Sequence, residues 1–149
     1  MSKTGLFDSK VVERVEDIFL KMRDELDNIP ATPFLYDTIT KNVLVTPNGD
    51  FAGIVDVDGL CFGDPRLVPA LTFTAIMVFE EGEVSYIDTW MQIANFSKDR
   101  LFYFYVTVFL VGFMSEHGQQ FNGNQKESDP KIREKLLFLL DEVLNEKFE

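Results

Sequence analysis

The stretch FLYDTITKNVLVTPNGDFAGIVDVDG, residues 34–59, decides how this chain is read. Two β-rich runs, NVLVT at 42–46 and FAGIVD at 51–56, flank Pro47-Asn48-Gly49-Asp50, which is a hairpin pattern. Asp37, Asn42, Asp56 and Asp58 surround it. Carboxylates beside Val-Leu-Val and Ala-Gly-Ile-Val are costly to bury unless something cationic stands between them. The loop length sets which of these side chains meet. A two-residue loop at Asn48-Gly49 puts Asn42 and Asp56 on opposite faces of the ladder, because side chains alternate. An odd loop, with Pro47 and Asn48 in a type I turn and Gly49 left-handed, puts them on the same face. Pro47 suits the first turn position and Gly49 the one needing positive φ, so the odd loop is expected. Asn42 and Asp56 are then diagonal neighbours about 7–8 Å apart at the backbone. A hard cation held at about 2.1 Å by each side-chain oxygen fits that gap. Asp37 lies on the turn leading into the hairpin and can face the same spot.

Working outward, the period of the apolar residues changes from two to that of helices. Before the hairpin, Val11, Val12, Val15, Ile18, Phe19, Met22, Leu26 and Ile29 form one stripe and predict a helix over 9–29. Asp8 or Ser9 caps its start and Pro30 lies just beyond its end. After the hairpin, 67–81, 84–96, 98–117 and 131–147 all read as helices. Ser97 is the expected cap of the third of these and Gly118 its stop. Asp129-Pro130 places a cap before proline at the first helical position of the last. The polar segment 119–128 is a loop. The expectation is one domain over 1–149, mainly α with a small β-hairpin. It comprises a helix at 9–29, a catalytic loop and hairpin at 34–58, and a helical bundle over 65–149.

The pattern D-x-x-x-x-N-V-L-V from Asp37, a short hairpin, G-I-V-D-x-D from Gly53, and Gly63-Asp64-Pro65 resembles the catalytic half of aminoglycoside phosphotransferases and choline-kinase-like enzymes. The resemblance runs from about residue 9 to the end. It implies the helical C-lobe of a protein-kinase-like fold, with Asp37 orienting an acceptor hydroxyl and taking its proton. It implies that Asn42 and Asp56 are ligands of Mg2+ bound with ATP or GTP. Asp58 matches a second acidic position of the family, and Gly63-Asp64-Pro65 a structural turn opening the next helix. Lys41 is a further candidate, for phosphate. The implied activity is phosphorylation of a small-molecule hydroxyl, in which positioning and charge neutralisation carry the rate. The sequence departs from the family in three places. Leu35 and Tyr36 stand where the family has a histidine before the aspartate. Val68-Pro69-Ala70 replaces the usual continuation after Gly-Asp-Pro. No Gly-rich phosphate loop and no strand lysine occur in the 36 residues before Asp37. The expectation is therefore a C-lobe with its N-lobe absent, incomplete or non-autonomous as a kinase and holding magnesium weakly by itself. It would be paired with an N-lobe polypeptide, or with a second copy over the exposed lobe face. The alternative is a non-catalytic binding module derived from such a lobe.

Composition narrows the rest. With 25 acidic against 14 basic residues the chain carries −11, which argues against nucleic acid and against an anionic membrane surface as partners. A single cysteine, Cys61, excludes an internal disulfide and a Cys-cluster zinc site, and fits a small core residue in a reducing compartment. The run LFYFYVTVFLVGFM, 101–114, is shorter than the ~20 residues of a membrane span and is expected as a buried helix in a cytoplasmic protein. Its aromatic residues at 102, 103, 104, 105, 109 and 113 read as core. His117, before Gly118, reads as a charge complement at a helix end. Asp58, Asp64 and Arg66 also fit a solvated turn with a surface ion pair. GIVDVDG resembles in addition the nucleophile motif of haloacid-dehalogenase-type phosphohydrolases, with Asp56 as nucleophile and Asp58 as acid–base. That fold needs further βα units, and everything after residue 64 reads helical. A calcium loop starting at Asp56 fails, because Cys61 takes the place of the required glycine and Leu67 that of the glutamate.

Overall fold

Helix α4 (Arg100–Glu116) is apolar on nearly every side, and such a helix must be enclosed. In the computed structural model, which describes residues 5–36, 40–119 and 127–148, three other helices enclose it. They are α1 (Lys10–Asp27), α2 (Leu67–Phe79) and α5 (Pro130–Lys147). Helix α3 (Val84–Ile93) packs on α2. Phe102, Leu110 and Met114 of α4 are fully buried, as are Met22 of α1, Ile87 of α3 and Leu136, Leu140 and Leu144 of α5. Removing a side chain such as Phe102 costs about 3–5 kcal/mol in transfer and cavity terms. No helix among the described residues is long and apolar enough to cross a membrane.

Local chemistry sets where these helices begin and end. The expected stripe of α1 is the buried one, with Val11, Ile18 and Met22 inside and Val15 and Leu26 packed against them. Asp8 supplies the first-turn bond, its Oδ1 accepting from the Lys10 N–H at 3.0 Å. The cap of α4 is Asp99 rather than Ser97: its Oδ1 accepts from the Phe102 N–H at 3.0 Å, and the Ser97 hydroxyl donates to its Oδ2. Aspartate is the better cap here because its charge also complements the helix dipole. Gly118 stops α4 with φ 74°, as expected. Asp129 caps α5 through the Lys131 N–H at 2.8 Å, with Pro130 in the first turn. Pro69 lies in the first turn of α2, where its missing N–H breaks no helical bond. Glu80 ends α2 at φ 57° and reaches Lys135 of α5, whose hydrogen bond and charge hold the Glu80 carboxyl below its ordinary pKa.

The β part is larger than the single hairpin expected. Strand β2 (Val43–Val45) pairs with β3 (Phe51–Ile54), and outside them β1 (Thr32–Leu35) pairs antiparallel with β4 (Leu60–Gly63). The two ribbons are nested, β1–β4 enclosing β2–β3 in the chain. The inner loop is the odd one. Gly49 N–H donates to the Thr46 carbonyl at 2.9 Å, Thr46 N–H to the Asp50 carbonyl at 2.8 Å, and Gly49 has φ 88°. One further residue then alters the register: Val45 faces Phe51 but Leu44 faces Gly53, so Ala52 is an extra residue on β3. The expectation of Asn42 and Asp56 as diagonal partners on one face is corrected on this point. Asn42 stands opposite Val55, whose N–H donates to its carbonyl at 2.9 Å.

Candidate functional site

Nesting gives the ribbons an internal loop. At one end the Tyr36 N–H donates to the Gly59 carbonyl at 2.9 Å, extending the β1–β4 ladder. At the other end the bond between Val55 and Asn42 extends the β2–β3 ladder. Between these closures lie the described residues 40–42 and 55–59, so Asn42, Asp56 and Asp58 fall in one small region. Asp37 itself lies outside the described residues, as do positions 38 and 39. The chain resumes as a single turn of 3-10 helix, Thr40–Asn42, leading into β2.

Asn42 is buried, 4% exposed. Asp56 is exposed and leaves the ladder at φ 58°, ψ 56°, a left-handed conformation that non-glycine residues seldom take. The turn Val57–Gly59 follows and carries Asp58, also exposed. Neither carboxylate has an ion-pair or hydrogen-bond partner among the described residues. Lys41 is exposed on the other segment, likewise with no ion pair there. A non-glycine residue held at positive φ between two ladders is backbone strain, and such strain concentrates where function requires it. Asp and Asn supply only oxygen, the donor set of hard cations such as magnesium. Among the described residues no group of three or more His, Cys, Asp and Glu is placed to share a metal ion.

Tyr36 follows directly on β1, and Cys61 lies on β4, its partner strand. Burial raises the Tyr36 phenol above its ordinary pKa, with Cys61 and Glu116 adding to the rise. Cys61 is half-buried opposite Phe34 rather than in the helical core. His117 stands at the end of α4, its Nε2 3.2 Å from the Ser128 hydroxyl and its ring edge-on to Phe7.

The turn Gly63-Asp64-Pro65 anchors the ribbons to the helices. Asp64 is 4% exposed, so the solvated surface pair read as an option from sequence is corrected to a buried one. Its Oδ1 accepts from the Arg66 N–H at 3.0 Å, and Arg66 Nε and Nη2 meet the carboxylate at 3.0 and 2.8 Å. Tyr105 of α4 donates its hydroxyl to Oδ2 at 2.9 Å. Arg66 Nη1 reaches on to Asp99, the α4 cap, at 3.1 Å, and the guanidinium lies over Phe96. Burial raises the Tyr105 pKa and the Asp64 charge raises it further. For Arg66 burial opposes the charge, but the hydrogen bond and charge of Asp64 outweigh it and the pKa rises. Sequence reading took Tyr105 as plain core. The signal it lacked was the buried carboxylate that a tyrosine on the inner face of α4 could satisfy.

Compared with family models, curated proteins and solved structures, the chain matches none of them.

Proposed function

We propose that the chain is the C-lobe of a phosphotransferase of the aminoglycoside-phosphotransferase and choline-kinase-like kind, acting in ATP- or GTP-dependent phosphorylation of a small-molecule hydroxyl. The observation that supports this reading is the internal loop between the nested ribbons, which brings the segments of Asn42, Asp56 and Asp58 together; Asp37 lies outside the described residues. Asn42 and Asp56 would hold magnesium, which on binding nucleotide offsets the charge of its phosphates. Asp37 would orient the acceptor hydroxyl and take its proton as the oxygen bonds to the γ-phosphorus and the bond to the β-phosphate oxygen breaks. Asp64, Arg66 and Tyr105 tie the ribbon root to α4. The described residues ahead of β1 form a helix rather than a β-rich lobe. The adenine-binding half would therefore come from another polypeptide or another part of the protein.

The exposed apolar side chains of the ribbons fit that arrangement. Phe51 is 68% and Phe62 70% exposed, with Leu44, Val45 and Leu60 also open to solvent. A lobe or a second copy packed there would bury them. The same exposure favours the second reading, a non-catalytic binding module derived from such a lobe. The haloacid-dehalogenase alternative for Asp56 and Asp58 is disfavoured, because the strands are antiparallel and the described chain after Gly63 is helix and loop.

The test is to mix the chain with a separately made β-rich nucleotide-binding lobe, nucleotide and magnesium, and assay phosphate transfer. Transfer that disappears in Asp37→Ala supports the enzyme; transfer unchanged by that substitution refutes the role given to Asp37. Magnesium nucleotide that leaves the melting temperature unmoved, with and without the added lobe, favours the binding module.

A further inference from the structure

A cavity lies among the helices, away from the ribbons. Between α2, α4 and α5 the chain leaves a cavity of about 170 Å3, open on one side. Its walls are Phe73 and Met77 from α2, Val106 and Leu110 from α4, and Leu139 and Val143 from α5. It shares no lining residue with the ribbons or the internal loop, and the phosphotransferase reading does not use it. Thr74 also lines it, but the Thr74 hydroxyl is taken up by the Ala70 carbonyl of its own helix at 2.7 Å. The interior is therefore apolar, and a cavity of this size in such a lining takes one benzene-sized ring.

The rim adds a charge preference. Tyr103 forms part of the wall and the Lys147 ammonium covers its ring, 4.7 Å from the centroid. Glu146 pairs with that ammonium at 3.5 Å, which leaves its charge largely offset. Glu142, also at the rim, is exposed and has no ion pair among the described residues. The mouth thus carries one uncompensated carboxylate over an apolar well. An anionic ligand would meet repulsion there; a cationic one would not.

We propose that this cavity is a binding site for a compact apolar molecule bearing an amine, its ring among Phe73, Val106 and Leu139 and its cation beside Glu142. The experiment uses the full chain and three probes of matched size: benzylamine, toluene and benzoate. Methyl NMR at low salt is expected to give saturable shifts confined to Val106, Leu110, Leu139 and Val143. Half-saturation is expected at millimolar benzylamine, and at least about five-fold higher for benzoate. Val143→Phe fills the well from its half-exposed edge and should abolish the shifts. Glu142→Gln, a solvent-exposed change that does not disturb packing, should bring benzylamine and benzoate to parity. Shifts that fail to saturate, or that benzoate produces as readily as benzylamine in the unaltered chain, overturn the proposal.

Discussion

The Tyr105 hydroxyl donates to the Asp64 carboxylate across 2.9 Å, joining the middle of α4 to the turn where the outer ribbon becomes α2. The bond is buried on both sides, and Arg66 completes the carboxylate's partners. A buried charge so fully bonded contributes little compared with an apolar substitute of the same shape. Breaking one half is costly, because the other half stays buried without its partner.

Asp64→Ala should therefore destabilise the chain by about 3 kcal/mol or more, since Tyr105 loses its acceptor and Arg66 keeps only Asp99. Tyr105→Phe removes one bond to a charged group and should cost about 1.5–3 kcal/mol. Urea denaturation of the two variants and their double gives the coupling directly. Additive losses would mean that the two residues do not act on each other.

The same pair sets an alkaline limit. In the fold the Tyr105 pKa lies above the ordinary 10.0, chiefly through burial and then through the Asp64 charge. Above about pH 10 the unfolded chain has lost this proton while the folded chain keeps it, so unfolding releases a proton and gains from rising pH. The contribution is complete below pH 10 and is lost as pH climbs toward the folded value, by up to about 1.4 kcal/mol per pH unit. Tyr105→Phe should flatten that part of the profile. Urea midpoints followed from about pH 9 to pH 11 for both proteins test it.

These two predictions rest on a contact that a reader of the sequence would not find. Gly63-Asp64-Pro65 is legible as a turn before a helix, and Arg66 as a neighbour, but Tyr105 lies 41 positions away. The helices were legible because their apolar residues repeat locally and their end signals, Gly118 as a stop and Asp129-Pro130 as a start, are local too. The inner loop was legible for the same reason, since Pro47 and Gly49 each have a backbone preference that fits one position of it. The outer ribbon was not. TPFL and LCFG are four residues each, and nothing within either says that Thr32 will stand opposite Gly63. The extra Ala52 was equally hidden: a bulge obeys the balance of packing across the ladder rather than any residue's own preference. At the candidate site the sequence offered Asn42 and Asp56 as diagonal partners, and the bulge at Ala52 shifted that register out of reach of any local rule.

Gly118 offers a check on the helical half. Its φ of 74° lies where a side chain is strained, and an added Cβ would come within 2.9 Å of Leu6 Cδ1. Because that atom ends a flexible side chain, the backbone term dominates. Gly118→Ala should lower stability by about 1–2 kcal/mol. Thermal melting showing no loss would mean that α4 ends differently.

Asp56 separates strain from function. At φ 58° an aspartate is tolerated, an alanine less so, and a glycine is free of steric cost. On stability alone, Asp56→Gly should melt at or above the temperature of the unaltered chain, and Asp56→Ala should lose about 1 kcal/mol. If the residue holds magnesium with nucleotide, both variants should lose whatever rise in melting temperature that pair of ligands gives the complemented protein, whichever way their own stability moves. A glycine variant that is stable and unresponsive places the aspartate there for its carboxylate, with strain as the accompanying cost. Should Asp56→Gly keep the full response, the left-handed turn is a device of the chain path alone, and the cation must be held by other groups.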